Sequence, residues 1–541
     1  MLLSKPFSGL LAFALTAQAS SRHQVAKTSY GVVEGTTSEY LSGVNVWKGI
    51  PYAAPPTKSL RFRPPEKAQP WTGVRNATVF GPQCPQINMG SSIFTTGSTE
   101  MSEDCLSLNI WAPENATAGD NLPVYFWIYG GRFYMGSGDV VTYDGSSLAK
   151  KNIIVVTINY RLGVLGYMAH PELSAESPHN SSGNYGVLDM ISALTWVHEE
   201  ISNFGGDPNH ITVGGQSAGS SGALDMMFSP LTEGLGVAGV ISETGSRGVR
   251  DPMMGGASTS YRQKESAENY GEIFLKELNL TSIAELRNVS YETLNDYATT
   301  NGIWYESTDL VNVSAYMEPP EWRPVHDGYV LPLGYGESLR FNKHHDVPIL
   351  TGNNKDESGA STSPGYTVST YHTDFTNVFG DLSSKFFDLF PASSTTEANQ
   401  MVNEIYRDIS RTGTWDWAHD WISGGAQSDV YTYFWTHAPP NGNGGAYHGS
   451  ELYYAFHSLP YADSSANWTQ TDYAVAATMT SYWANFIKSG SPNGAGLPYW
   501  APSKENQTTM WLGDSWGSGS VAQSQEVIDF IRDWFSENIE W

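Results

Sequence analysis

Ser217 lies in Gly215-Gln216-Ser217-Ala218-Gly219, a Gly-x-Ser-x-Gly run with informative flanks. Before it comes the short apolar run 211–213, of the kind that forms a buried strand. After it come small residues and then Leu224, Met226, Met227 and Phe228, which read as a helix. A strand, a sharp turn and a helix would raise a serine hydroxyl above a sheet edge and aim a helix N-terminus at it. That is the setting of a serine nucleophile, and the glycines leave room for neighbouring strands and helices. The pattern alone is weak in a chain with 54 glycines. A second copy, Gly513-Asp514-Ser515-Trp516-Gly517, has neither the strand before it nor the helical periodicity directly after it, and reads as a turn.

The elements that must position Ser217 are legible as alternating patterns. Apolar strand-like runs cover 123–129, 153–160, 211–213, 240–242, 347–352 and 430–435. Between them, Val187, Leu188, Ile191, Leu194, Val197 and Ile201 share one helical face. Met479, Trp483, Phe486 and Ile487, stopped by Gly490, make a second such face, and Val527, Ile528, Ile531, Trp534 and Phe535 a third. Alternating strands and helices predict an α/β fold with a mostly parallel sheet covered on both faces. The stretch 251–321 lacks strong strands and reads as a helical insertion. One domain over 20–541 is expected.

Hydrophobic residues make up 40 % of the 541, aromatic residues 13 % and charged residues only 16 %, which excludes a disordered chain. The net charge of −26 argues against nucleic acid or anionic membranes as partners. Residues 1–19 read as a secretory signal, with Lys5, a short apolar stretch from Phe7 to Leu15, and the small-residue site Ala17-Gln18-Ala19. No later run of 18 apolar residues and no hydrophobic anchor tail occurs, so a secreted, extracellular protein without a membrane anchor is expected. Sequons at Asn76, Asn115, Asn180, Asn279, Asn288, Asn312, Asn467 and Asn506 then become glycosylation sites. Cys84 and Cys105 are the only cysteines and, in an oxidising compartment, read most simply as a disulfide.

Further motifs carry a family resemblance. Gly49-Ile50-Pro51-Tyr52-Ala53, Leu60-Arg61-Phe62, Ser102-Glu103-Asp104-Cys105-Leu106, Asn159-Tyr160-Arg161-Leu162-Gly163 and Phe204-Gly205-Gly206-Asp207-Pro208 occur in this order before the serine. With them the chain resembles the type-B carboxylesterase/lipase family from about Tyr30 onward. The resemblance implies the α/β-hydrolase fold, a central mostly parallel sheet flanked by helices with large helical insertions, and a serine esterase without cofactor or metal acting on small-molecule esters. It makes Glu357, in Asn354-Lys355-Asp356-Glu357, the triad acid, with Asp356 as fallback. It makes His448, in His448-Gly449-Ser450-Glu451 after the glycine-rich loop 441–445, the base, with Glu451 as a supporting residue. Ser217, Glu357, His448 is the chain order expected on this fold. It also implies backbone N–H groups of Gly131, Arg132 and Ala218 as an oxyanion hole, and Arg61 with Glu103 as a structural ion pair. Of the remaining histidines, His437, His457 and the run His344-His345-Asp346 read as structural, and no zinc-ligand spacing is present.

The chain departs from the family pattern at three places. Arg132 stands where the family carries a small residue. Its guanidinium either pairs with a nearby carboxylate, or narrows the acyl pocket or favours acidic acyl groups. Gln216 replaces a common Glu, keeping shape but dropping a charge beside the nucleophile. Met190 follows Asp189 where Gln is common, and is expected to affect packing. The segment 85–104 between the cysteines has 20 residues and no tryptophan. It is short for an interfacial lid and lacks a cation–π partner for choline, so a general esterase on soluble, moderately apolar esters is expected ahead of a lipase on acylglycerols. A catalytically silent binding protein is the remaining reading, disfavoured by the intact Ser217, Glu357 and His448. Phe133, Trp304, Trp322 and Tyr447 are candidates for pocket walls or for packing.

Overall fold

A computed structural model describes residues 24–96, 100–256, 260–440, 444–504 and 506–540. The signal sequence expected over 1–19 and residues 441–443 of the glycine-rich loop lie outside them.

Among the described residues, eleven strands form one sheet: β1 (Thr36–Thr37), β2 (Val44–Pro51), β3 (Ser107–Pro113), β4 (Leu122–Ile128), β5 (Ile154–Ile158), β6 (Gly206–Gln216), β7 (Val237–Glu243), β8 (Ile349–Asn354), β9 (Val430–Trp435), β10 (Thr508–Leu512) and β11 (Gly517–Ser520). Their spatial order is β11-β10-β9-β8-β7-β6-β4-β5-β3-β2-β1. The run from β10 through β5 is parallel, and both flanks are antiparallel. Every residue of β5, β8 and β9 is buried, as strands covered on both faces must be. The six strand-like runs all fall in this sheet. Strands β2 and β3 interrupt their apolar character with Asn45 and Asn109. Asn109 is buried because its amide is satisfied, accepting from Gly49 N at 2.9 Å and donating to Thr157 Oγ1 at 3.0 Å.

The helices that matter for the site are α1 (Tyr185–Glu200), α2 (Ala218–Phe228), α3 (Lys264–Glu277), α4 (Thr395–Ser423), α5 (Gln470–Ser489) and α6 (Gln525–Ser536). Helix α1 buries Val187, Ile191, Leu194 and Val197 on the expected face. Met190 beside them is wholly buried against α2, where a Cβ on Gly222 would stand 3.0 Å from its sulfur, so its role is packing. Gly490 ends α5 in a left-handed conformation (φ 71°). Helix α4 carries its polar residues inward: Asp408, Arg411, Thr412 and Thr414 are all buried. A second core, rich in aromatic side chains, joins residues 366–409 to α6, with Phe375 stacked on Phe386 at 5.0 Å and Phe379 edge-on to Trp534 at 5.0 Å. The second Gly-x-Ser-x-Gly copy is the turn joining β10 to β11. No helix among the described residues is long and apolar enough to cross a membrane.

Two covalent or ionic ties hold the loops above the sheet. Cys84 and Cys105 form a disulfide. Arg161, in the loop after β5, is locked to Asp189 of α1 by Nε and Nη2 bonds of 2.7 Å each, with both side chains buried. Removing one partner of such a pair strands a charge in the interior. Asp189→Asn should therefore lower unfolding stability by about 3–5 kcal/mol, read as a fall in the urea midpoint, and an unchanged midpoint would show the pair to be dispensable.

Candidate active site

Ser217 follows the C-terminal end of β6 with φ 57° and ψ −124°, and α2 starts at the next residue. This backbone is left-handed, a region a serine enters only when its surroundings compel it. Two glycines make it possible. A Cβ on Gly215 would lie 2.1 Å from the carbonyl oxygen of Gly219, and one on Gly219 would lie 2.1 Å from that of Ile128. The Ser217 N–H donates to Glu243 O at 3.0 Å, which extends the β6–β7 ladder one residue past the strand. The turn is thus clamped from three sides.

The strand ends also supply the partners. Glu357 lies three residues beyond β8, and its Oε1 accepts the N–H of Asn354 at 2.8 Å. Its Oε2 is 2.7 Å from His448 Nδ1. A carboxylate accepts, so the imidazole proton sits on Nδ1, and the Nε2 lone pair faces the Gln216 side-chain amide at 3.3 Å. Burial of the ring opposes its charging, but the hydrogen bond and charge of Glu357, with the charge of Glu451, outweigh it and raise the histidine above its ordinary 6.5. The side chain remains 42 % exposed to the pocket, so water there further moderates the burial penalty. Asp356 is engaged elsewhere. Its carboxylate pairs with Arg407 Nη2 at 2.6 Å and accepts Ala446 N–H at 2.8 Å, tying the acid's loop to the histidine's loop. Asn354 adds a bond to Tyr447 O at 2.7 Å and another to the buried carboxylate of Glu451, whose protonated form is favoured by burial. Glu451 thus braces the site from below.

The loop after β4 bends so that Gly131 (φ 112°), Arg132 (φ 54°) and Phe133 (φ 61°) are all left-handed. A Cβ on Gly131 would meet Met135 O at 2.3 Å, while Arg132 takes a conformation that costs a non-glycine residue about 1–2 kcal/mol. Among the described residues, no acceptor engages the N–H of Gly131 or of Arg132. With Ala218 at the first position of α2, these amides can receive a developing oxyanion. The reading of Arg132 as an ion-pair former is corrected: Nη2 donates to the backbone carbonyl of Glu318 at 2.7 Å, and no carboxylate pairs with it among the described residues.

Ser217, His448, Glu357, Gly131 and Arg132 line one cavity of ≈ 360 Å³, within the range of small-molecule sites. Its other walls include Phe94, Met135, Arg247, Met253 and Met317. Phe94 comes from the loop between the cysteines, its ring 6.5 Å from the His448 ring. The candidate wall residues Phe133, Trp304, Trp322 and Tyr447 are absent from this lining. Phe133 and Trp322 are buried against Tyr167 and against Tyr270 and Phe274 instead. Met135, Met317 and the neighbouring Arg247 and Met253 come from three stretches far apart in the chain, and only folding brings them together. Gln216 is buried, its Nε2 2.8 Å from Thr244 Oγ1 and 3.3 Å from His448 Nε2. Arg61 pairs with Glu103, Nε to Oε2 at 2.6 Å, away from this cavity. His437 is held between Asp472 and Asp514, and His345 bonds Thr232 Oγ1 at 2.8 Å. Among the described residues, no group of three or more His, Cys, Asp or Glu is placed to hold a metal ion.

Residues 22–518 match the carboxylesterase family. The chain is 33 % identical to fumonisin B1 esterase of Sphingopyxis macrogoltabida over 94 % of this chain and 90 % of that protein. It is 32 % identical to para-nitrobenzyl esterase of Bacillus subtilis over 91 % of this chain and 95 % of that one. Among solved structures, a PNB esterase superposes with a TM-score of 0.74 at 30 % identity, covering 95 % of this chain and 99 % of that one. A thermophilic PNB esterase gives 0.74 at 31 % identity, covering 94 % and 100 %. The chain belongs to the carboxylesterase family, has the α/β-hydrolase fold and is a carboxylic ester hydrolase.

Proposed function

We propose that this hydrolase works through an acyl-enzyme on Ser217 and is exported from the cell as a glycoprotein. The observation that carries the mechanism is the 2.7 Å bond from His448 Nδ1 to Glu357, beside a serine on a strained elbow in the same cavity. His448 Nε2 takes the hydroxyl proton as Oγ attacks the ester carbonyl. The carbonyl oxygen becomes an oxyanion received by the amides of Gly131, Arg132 and Ala218. His448 then protonates the leaving alcohol, and water repeats the sequence to release the acid. Glu357 fixes the imidazole's tautomer and offsets its transient charge.

Export rests on the sequence of residues 1–19, and the eight sequon asparagines are all exposed, as carriers of glycan must be. The disulfide fits an oxidising compartment. The loop 85–104 contributes Phe94 to the pocket wall, and its shortness favours soluble, moderately apolar esters over triglyceride interfaces.

Ser217→Ala should lower kcat on 4-nitrophenyl butyrate by roughly 10⁶-fold and abolish labelling by a fluorophosphonate probe; retained labelling would remove Ser217 from the mechanism. Only neutral His448 can act as base, and its raised pKa means protonation persists to higher pH than for a free histidine. The acid limb of kcat/KM should therefore have its midpoint above 6.5, the value of an ordinary histidine. Glu357→Gln should move that midpoint toward acid and lower kcat by about 10⁴-fold. A limb unmoved by this change would assign it to another group. Rates on a triglyceride emulsion should show no jump when the interface forms.

A further inference from the structure

The charges around the cavity run against those of the whole chain. The protein carries 55 acidic and 29 basic residues. The residues lining the cavity include two arginines, Arg132 and Arg247, and one acidic residue, Glu357, whose carboxylate is already engaged by His448. Next to the nucleophile stands the neutral amide of Gln216, so no second anion faces the bound ester there.

The two arginines differ. Arg247 is neutralised by Asp251, Nε to Oδ2 at 2.6 Å, in a buried pair. Arg132 has no such partner among the described residues; it donates to the Glu318 carbonyl and to the Tyr134 side chain. A guanidinium has five N–H donors, and withdrawing it from water without a counter-charge is costly. Burial accordingly pulls Arg132 below the ordinary arginine value, yet leaves it a cation at neutral pH. Its field reaches His448, where it disfavours the imidazolium. Arg132 is thus a half-buried cation with no counter-charge among the described residues, in the wall of the pocket. The same residue contributes an amide to the place where the ester carbonyl must sit.

We propose that this pocket takes esters that also carry a free carboxylate, and that the Arg132 guanidinium binds that carboxylate. The inference rests on the serine esterase reading of the cavity. A carboxylate supplies what Arg132 lacks: two oxygens in the plane of the fork and a compensating charge. The ester's own chemistry is unchanged, and Arg132 acts on affinity and orientation.

The test compares kcat/KM on three esters of similar size: neutral 4-nitrophenyl butyrate, mono-4-nitrophenyl adipate with its carboxylate on the acyl side, and 4-butyryloxybenzoate with its carboxylate on the alcohol side. The wild-type enzyme should prefer one of the two anionic esters over the neutral one by about tenfold or more, and the favoured arm identifies the half of the substrate that meets Arg132. Arg132→Gln should reduce that anionic-to-neutral ratio by about tenfold or more, mainly through KM for the anionic ester, and Arg132→Lys should restore part of it. A purely structural role would lower all three rates by one factor and leave the ratio intact, which overturns the proposal. Wild-type enzyme that prefers the neutral ester overturns it without any variant. Fluorophosphonate labelling and hydrolysis of the neutral ester report separately on the esterase reading. Both present without carboxylate preference sinks only this inference, whereas both absent sinks the esterase reading as well.

Discussion

The place of the proposed nucleophile depends on one backbone conformation, that of Ser217 at φ 57°. It is unfavourable in isolation and persists because its surroundings leave no alternative. Strand β6 delivers the chain from below, α2 takes it away at once, and the N–H of Ser217 is spent on Glu243. Between them, the carbonyls of Ile128 and Gly219 stand where side chains at 215 and 219 would be. The sheet is the source of this compulsion. Strands buried on both faces cannot shift to relieve one turn without disturbing the packed core.

The same sheet explains why the other groups arrive in register. Ser217, Glu357, Gly131 and Arg132 all follow C-terminal ends of parallel strands, the edge at which such folds gather their loops. His448 comes from a longer excursion after β9, and so needs its own moorings. Asp356 and Asn354 provide them, binding Ala446 and Tyr447 from the loop that carries the acid. The loops of Glu357 and His448 are thereby tied through bonds to the backbone as well as through the contact of the two side chains.

The proposed nucleophile is readable from residues alone because a strand, small residues and a helix must coincide there. Six strands and three helices were readable because their inward faces are apolar. Strand β3 and helix α4 escaped because they bury polar groups that find partners only in the fold: Asn109 with Thr157, and Arg411 with Asp408 and Val521. Glu357 and His448 are recognisable by motif, with Asp356 as fallback for the acid, and the fold adds that Asp356 is engaged by Arg407. The walls were the least legible part. Met135, Met253 and Met317 have no common spacing, whereas the conspicuous aromatics, Trp322 and Phe133, fill the core. Arg132 stood out as an oddity, and only its surroundings showed that it lacks a counter-charge.

The disulfide joins the two ends of the loop that carries Phe94 to the imidazole. That aromatic wall is therefore anchored by a covalent bond outside the sheet, while the nucleophile is anchored by the sheet itself. In a thiol-rich environment the two halves of the cavity would part company: Ser217 keeps its posture, while the wall beside it is left to packing and to hydrogen bonds such as that of Gln86 Nε2 to Gly136 O at 2.8 Å.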